Sequence, residues 1–219
     1  MTRDTRGFEP YLPKKSKKKG WAILFLLVGG PLCTSGAAYW FQLDDARLIA
    51  SVRDRDVVAP YAAWAIGNKG KADEVQSELE ELLADHTVSS YLRRGAANGL
   101  GSLKDPAVTR FLAEAIRDDP DPDVRAAACD ALAASGVSNA EEAIRYVLVN
   151  DTESSPLRAA CLAAGELQLE ELIPLLIDNL ETPDYRVRTY ARESLVILLP
   201  ECEAFGDNLT LWRAWLAER

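Results

Sequence analysis

Histidine and cysteine are scarce in this chain of 219 residues, and their scarcity excludes several classes of site. His86 is the only histidine, so one chain cannot build a metal centre from several histidine ligands. The cysteines, Cys33, Cys129, Cys161 and Cys202, are too far apart to form the framework of a small disulfide-linked domain. The sequence also lacks a nucleophile elbow and a glycine-rich phosphate loop. We therefore predict no catalytic residue, no cofactor and no metal, and we expect that the protein is not an enzyme.

The charges divide the chain into three parts. Before Gly20 there are seven basic and two acidic residues, a net charge of +5, and residues 20–43 carry no charge. From Asp44 onward 18 basic residues face 32 acidic ones, a net charge of −14. A domain this acidic repels phosphate backbones, so we predict that it does not bind nucleic acid.

The uncharged part is an apolar stretch that begins at Trp21 and reads WAILFLLVGGPLCTSGAAYWF. A helix needs about 20 such residues to cross a bilayer, and aromatic residues at both ends suit the two interfaces. We predict a basic cytoplasmic tail at residues 1–20 and a transmembrane helix, acting as a signal anchor, at residues 21–43. Membrane lipid would be contacted by residues 21–43 and by a lysine cluster: Lys14, Lys15, Lys17, Lys18 and Lys19.

The basic cluster also predicts the orientation of the chain, because cytoplasmic flanks of membrane helices are rich in lysine and arginine. The expected location is the inner (plasma) membrane, crossed once, with the rest of the chain periplasmic or extracytoplasmic. Two alternatives stay open. Ser35, Gly36 and Ala37 suit cleavage of a signal peptide, which would release a free exported domain. Cys33 could instead be lipidated.

Five similar blocks of ten residues follow the apolar stretch. They read VAPYAAWAIG, LRRGAANGLG, VRAAACDALA, LRAACLAAGE and VRTYARESLV, and they begin at Val58, Leu92, Val124, Leu157 and Val187. The starts are 34, 32, 33 and 30 residues apart, and block positions 1, 5, 6 and 9 are mostly apolar or small. This spacing predicts helices that are buried on one face. Amphipathic segments between the blocks predict a partner helix for each.

The blocks resemble HEAT-like repeats, including the variety named after phycobilisome lyases. The resemblance rests on an arginine step followed by small residues, as in DPDVRAAACDALA (Asp121–Ala133) and SYLRRGAANGLG (Ser90–Gly101). It implies an all-α fold, a right-handed α-solenoid of about five helix pairs, which we place at residues 44–200. Residues 201–219 resemble the closing segment of bacterial HEAT-repeat proteins and are predicted to form a C-terminal capping helix.

One arginine recurs at the second position of four blocks. These arginines are Arg93, Arg125, Arg158 and Arg188. Such a column could bind an anion, but we favour pairing with backbone carbonyls and with acidic residues of the neighbouring repeat. The candidate acids are Asp118, Asp119 and Asp151.

The resemblance implies a binding architecture, because stacked repeats present an extended surface. We predict a membrane-anchored scaffold that mediates protein–protein interaction through the solenoid surface without catalysis, with partners in the periplasm or at the membrane. The candidate contacts are residues expected to face away from the core: Tyr61, Trp64, Arg94, Asn98, Asp130, Tyr190 and Glu193. The alternatives are a bilin-lyase-like enzyme or enzyme helper, and a free exported solenoid after signal cleavage.

Overall fold

The computed structural model describes residues 45–55, 59–69, 75–103, 105–136 and 139–218, which all belong to one compact unit. Within these ranges the chain forms eleven α-helices, two short 3-10 helices and no strand. The α-helices are α1 Asp45–Arg53, α2 Ala59–Asn68, α3 Gln76–Ala84, α4 Ser90–Gly101, α5 Val108–Asp118, α6 Pro122–Ser135, α7 Glu141–Asn150, α8 Ser154–Glu166, α9 Ile173–Asn179, α10 Tyr185–Leu198 and α11 Leu209–Ala217. The 3-10 helices are Glu170–Leu172 and Pro200–Phe205.

The first ten α-helices form five consecutive pairs, from α1 with α2 to α9 with α10. The even-numbered helices contain the described residues of the five sequence blocks, and each packs closely against the next even-numbered helix. The odd-numbered helices pack less closely against one another. The stacked repeats form two layers of helices, and we name the layers by how closely their helices pack. We therefore call α2, α4, α6, α8 and α10 the inner helices, and α1, α3, α5, α7 and α9 the outer helices. The predicted all-α solenoid is confirmed.

Small residues allow the inner helices to approach one another. Ala97 of α4, Ala128 of α6 and Ala160 of α8 are fully buried. A Cβ atom added to Gly101 would lie 2.6 Å from the Cα of Ala131, so the backbones of α4 and α6 nearly touch at this point. A larger residue at Gly101 or at Ala131 would push α4 and α6 apart.

The repeat pattern ends with α10, and the chain then continues through the second 3-10 helix into α11. Trp212 of α11 is fully buried. Its Nε1 donates a hydrogen bond to the Gly206 carbonyl at 3.0 Å, and its ring meets the Phe205 ring edge-on at 5.1 Å between centroids. Helix α11 packs against α9 of the last pair. The division into a solenoid at residues 44–200 and a capping segment at residues 201–219 stays a prediction.

The predicted membrane segment at residues 21–43 and the basic tail before it lie outside the described residues. Among the helices that are described, none is long and apolar enough to cross a membrane. The longest, α6 and α10, have 14 residues each. They extend about 21 Å, against a hydrocarbon core of about 30 Å. On this finding the predicted single-pass inner-membrane location is corrected, and the transmembrane helix placed before the solenoid has no support.

Two ion pairs of the arginine column join successive repeats, and we call them the arginine ladder. Arg93 of α4 donates from Nε and Nη2 to the Asp119 carboxylate at 2.7 and 2.9 Å, and their side chains are 5% and 0% exposed. Arg125 of α6 forms the same bidentate pair with Asp151, in which Nε and Nη2 donate to the carboxylate at 2.7 and 3.1 Å. The predicted pairing of column arginines with acids of the next repeat is confirmed for these two.

Backbone carbonyls complete the ladder. Arg93 also donates to the Val88 carbonyl at 2.6 Å, and Arg125 donates to the Asp119 carbonyl at 3.0 Å. The loop at Asp119 is therefore held by both arginines, through its side chain and through its backbone. Hydrogen bonds from a charged donor are stronger than those between neutral groups, so the ladder fixes the loops between repeats.

We expect Arg93→Ala to lower the free energy of unfolding by about 3–5 kcal/mol, because it leaves the buried Asp119 carboxylate without its cation. Urea denaturation followed by circular dichroism measures the loss. The control is Arg117→Ala on the outer surface, whose pair with Glu142 is 39% and 85% exposed and should contribute about 1 kcal/mol at most. Adding Asp119→Asn to Arg93→Ala should restore part of the loss. Equal losses in the two single variants would contradict a structural role for the ladder.

Candidate partner-binding site on the inner helices

Five of the seven predicted contact residues have described side chains, and all five lie on inner helices. Arg94, Asn98, Asp130 and Glu193 are exposed, and Tyr190 is half-buried. Tyr61 and Trp64 belong to α2, but their side chains lie outside the described part of the structure. Their role as contacts stays a prediction.

Asp130 and Tyr190 line one shallow groove across three inner helices, α6, α8 and α10. It has a volume of about 180 Å³, and we call it the inner groove. Its lining residues are Ala126, Asp130, Ser155, Arg158, Ala159, Leu162 and Tyr190. The structure does not bring the other three described candidates into this groove. Arg94 instead lies 3.9 Å from the Asp123 carboxylate, nearer the start of α6.

Arg158 also lines this groove, although its place in the arginine column favours a pair with an acid or with a backbone carbonyl over the binding of an anion. Within the described residues Arg158 forms no ion pair, and its one hydrogen bond runs from Nε to the Ser154 carbonyl at 3.2 Å. The guanidinium instead lines the inner groove. The next column arginine, Arg188, donates to the carbonyls of Thr182 and Pro183 at 2.8 and 2.7 Å.

The acid that would pair with Arg158 is missing from the next repeat. Asp119 and Asp151 each stand two residues before the residue that caps the following inner helix. Helix α10 is capped by Asp184, so the same position before it belongs to Thr182. A threonine side chain carries no charge and cannot take the place of the carboxylate. The signal in the sequence is the last block spacing, which is 30 residues instead of 32 to 34.

Asp184 itself is engaged elsewhere. Its carboxylate accepts hydrogen bonds from the Ser154 hydroxyl and from the Arg186 backbone N–H, the latter at 2.8 Å. The bond from Ser154, followed by that from Arg186, lowers the pKa of Asp184. Asp184 therefore caps α10 and joins it to α8 through Ser154, and it forms no ion pair with Arg158.

Asp130 has no hydrogen-bond or ion-pair partner within the described ranges. Burial of its carboxyl against the neighbouring helices raises its pKa, the charge of Glu166 raises it further, and the charge of Arg158 opposes both. The residue as a whole is exposed, so its carboxyl is reachable from solvent although the groove removes part of its hydration. The ionised form is therefore held at some cost in free energy.

The groove combines an apolar floor with unused polar groups. Ala126 and Ala159 are buried, and Leu162 is half-buried. The Nη atoms of Arg158, the Asp130 carboxyl and the Tyr190 hydroxyl have no hydrogen-bond partner among the described residues. A volume of about 180 Å³ is below the range of roughly 300–1,000 Å³ that is usual for small-molecule pockets. The arrangement suits one or two side chains of a larger partner.

Cys129 and Cys161 occupy near-equivalent positions in successive blocks, but they do not contribute to the groove. Both are fully buried free thiols. Burial raises the pKa of Cys161 to about 12, and it raises that of Cys129 as well. Protonated thiols are poor nucleophiles, so these cysteines serve as small core residues.

The fold has a counterpart among solved structures. The chain is similar to one chain in the structure of the complex of CpcE and CpcF of phycocyanin lyase from Nostoc sp. PCC7120. The TM-score is 0.60 and the sequence identity is 24%, and the match covers 87% of this chain and 71% of the chain in the complex. At this identity the likeness shows a shared fold. No curated protein matches the chain.

This likeness corrects one prediction. The sequence offers no recognisable catalytic motif, and on that ground we expect a protein that is not an enzyme. The complex with the same fold is a lyase, so a fold of stacked helical repeats does not exclude catalysis. On this finding the prediction that the protein is not an enzyme is corrected, because a missing catalytic motif is no ground for it in this fold.

The repeats themselves identify the family. The family model for HEAT repeats matches residues 46–133 and 109–196, which together cover more than half of the chain. The matched ranges contain the described inner helices almost in full, including the helices that carry the arginine ladder and the inner groove. The chain belongs to the HEAT-repeat family.

Proposed function

We propose that this chain is a protein-binding HEAT-repeat solenoid that holds its partner on the inner helices, with the inner groove as the anchor point. The observation that carries the proposal is a set of polar groups in that groove without a hydrogen-bond partner among the described residues: the Nη atoms of Arg158, the Asp130 carboxyl and the Tyr190 hydroxyl. Buried interface anchors in proteins are enriched in arginine and tyrosine. A groove that offers both above an apolar floor supports docking of a partner side chain.

The charges of the two helix layers support the same surface. The inner helices carry seven basic and four acidic residues, a net charge of +3, and all seven basic residues are arginines. The five outer helices carry five basic and nine acidic residues, a net charge of −4. In a domain that is acidic as a whole, the inner layer is thus the part with opposite sign. Such an asymmetry orients an approaching partner.

A second candidate function is a phycocyanin-lyase-like activity, which the likeness to CpcE and CpcF favours. Asp130 supplies an acid of raised pKa on the inner surface, which is the kind of group that proton transfer needs. The inner groove is too small to enclose a linear tetrapyrrole, so such a ligand would have to lie along the inner helices. Mixing the purified chain with a linear tetrapyrrole tests this function. A shifted visible absorbance band supports it, and an unchanged spectrum contradicts it.

The main test places a photo-reactive amino acid at Leu162 in the inner groove of the full-length protein. Irradiation in extracts of the source cells should crosslink one discrete protein, which mass spectrometry identifies. The matched control carries the same amino acid at Val149, which lies on outer helix α7 and is 59% exposed. Crosslinking from Val149 alone would contradict binding through the inner helices.

The captured protein, once purified, allows the second half of this test. We expect Tyr190→Ala to weaken its binding by at least about tenfold, because buried aromatic anchors contribute about 2 kcal/mol or more. Tyr146→Ala on outer helix α7, where the side chain is 38% exposed, is the control and should bind like the unmodified chain. If both variants bind equally well, the inner groove is not the anchor point.

We also expect Asp130→Asn to raise the melting temperature at neutral pH. The pKa of Asp130 is raised in the folded protein, so its stabilising contribution is present below the unfolded pKa and lost as the pH rises through the folded pKa. The increase should therefore vanish near about pH 4. Thermal unfolding of both proteins at the two pH values measures it, and Glu193→Gln is the control on the same surface. A lower melting temperature at neutral pH would show that the Asp130 carboxylate is stabilising instead.

A further inference from the structure

Arg158 reaches the inner groove with most of its hydrogen-bonding capacity unused. A guanidinium carries five N–H donors, and the one hydrogen bond of Arg158 to a described residue uses its Nε. The end of the side chain that bears both Nη atoms has no partner in the described residues. In the ladder, Arg93 and Arg125 each hold a carboxylate with two parallel hydrogen bonds. By the same chemistry, the ligand that fits the free end of Arg158 is a carboxylate.

The surroundings of Arg158 favour a carboxylate that belongs to a peptide. Ala126, Ala159 and Leu162 form an apolar floor beside the guanidinium, which suits an apolar side chain next to the acid. The groove crosses three successive inner helices, so an extended segment can pass over it. Its small volume leaves room for one or two side chains only.

Asp130 supplies the complementary group. Its carboxyl lacks a hydrogen-bond donor in the described part of the chain, and an extended segment offers backbone N–H groups as donors. The charged groups that influence it are Glu166 and Arg158 on α8, with the Tyr190 hydroxyl of α10 in the same groove. A peptide that brings a carboxylate to Arg158 and an N–H to Asp130 would use both unpartnered groups at once.

We infer that the inner groove binds an extended acidic segment of a protein partner, in which an internal glutamate or aspartate pairs with Arg158 and a neighbouring apolar side chain packs on the alanine floor. This inference rests on the proposed function and adds the chemistry of the partner. A basic segment fits less well, because Arg158 would repel it at the anchor point and the inner helices carry a net charge of +3.

Three fluorescein-labelled peptides test the inference on the full-length protein. They share a Leu-X-Leu core within neutral flanks, and X is glutamate, glutamine or lysine. Fluorescence anisotropy should show that the glutamate peptide binds about tenfold more tightly than the glutamine peptide, because Arg158 forms charge-assisted hydrogen bonds with a carboxylate and only weaker, neutral-acceptor bonds with an amide. The lysine peptide should bind most weakly. The preference for glutamate should decrease at high salt, as expected of an exposed ion pair.

Substitutions at Arg158 connect this preference to the groove. Arg158→Gln should bind the glutamate and glutamine peptides equally, and Arg158→Lys, which keeps the charge without the planar fork, should retain part of the preference. Arg117→Gln, on the outer surface, should behave like the unmodified chain. A melting curve of Arg158→Gln confirms that it is folded. The inference is overturned if the glutamate peptide does not bind, if all three peptides bind alike, or if Arg158→Gln keeps the full preference.

The purified partner separates failure of this inference from failure of the proposed function. If Tyr190→Ala weakens partner binding and Arg158→Gln does not, the groove binds the partner but does not recognise a carboxylate. If neither substitution weakens binding, the proposed function itself is wrong. If both do, and the glutamate preference is present, the acidic segment can be mapped by replacing acidic residues of the partner one at a time.

Discussion

The buried pair of Arg93 and Asp119 fixes how one repeat sits on the next. The Asp119 carboxylate is fully buried and accepts two hydrogen bonds from a single guanidinium. A shift of the two repeats by one residue would leave a buried charge without its partner, at a cost of about 3–5 kcal/mol. A typical domain is stable by only about 5–15 kcal/mol, so such a shift is strongly disfavoured. Apolar packing of the alanine-rich inner helices supplies the cohesion, and the ladder selects its register.

The ladder ends between α8 and α10, and other contacts join these two helices. The buried hydroxyl of Ser194 donates to the Cys161 carbonyl at 2.7 Å. A Cβ atom added to Gly165 would lie 3.0 Å from the Ser194 side chain, so the two backbones meet closely there. Because the contact of Ser194 with Cys161 and Gly165 holds α8 against α10, an ion pair of Arg158 is not needed to join these two helices. Arg158 keeps both Nη atoms without a partner among the described residues, and we propose that a protein partner binds them.

The sequence predicts the fold well and the site only in part, for a physical reason. Apolar periodicity identifies the inner helices, and the arginine column predicts the ladder at Arg93 and Arg125. Arg158 lacks an acidic partner among the described residues because the last repeat is shorter by two or more residues. Helix ends are hard to place to within two residues from sequence alone, so this difference is not predicted. A difference in register also changes which residue of α8 faces the groove. Ala163 has the same block position as the exposed Asp130, but Ala163 is buried and its neighbour Leu162 lines the groove.

In a solenoid each repeat contacts only its neighbours, so a change in one loop acts locally. Replacing an acid with Thr182 in the last loop removes one ladder pair and leaves the pairs at Arg93 and Arg125 intact. The proposed binding site thus uses Arg158, whose counterparts in the earlier repeats, Arg93 and Arg125, stabilise the stack. Asp130, on the preceding inner helix, lies in the same groove as Arg158 and has no hydrogen-bond donor among the described residues, and its ionised form costs stability. A ligand that forms hydrogen bonds with both of these incompletely bonded charged groups lowers the free energy of the site. This is the physical basis for expecting a partner that carries an acid and a backbone N–H together.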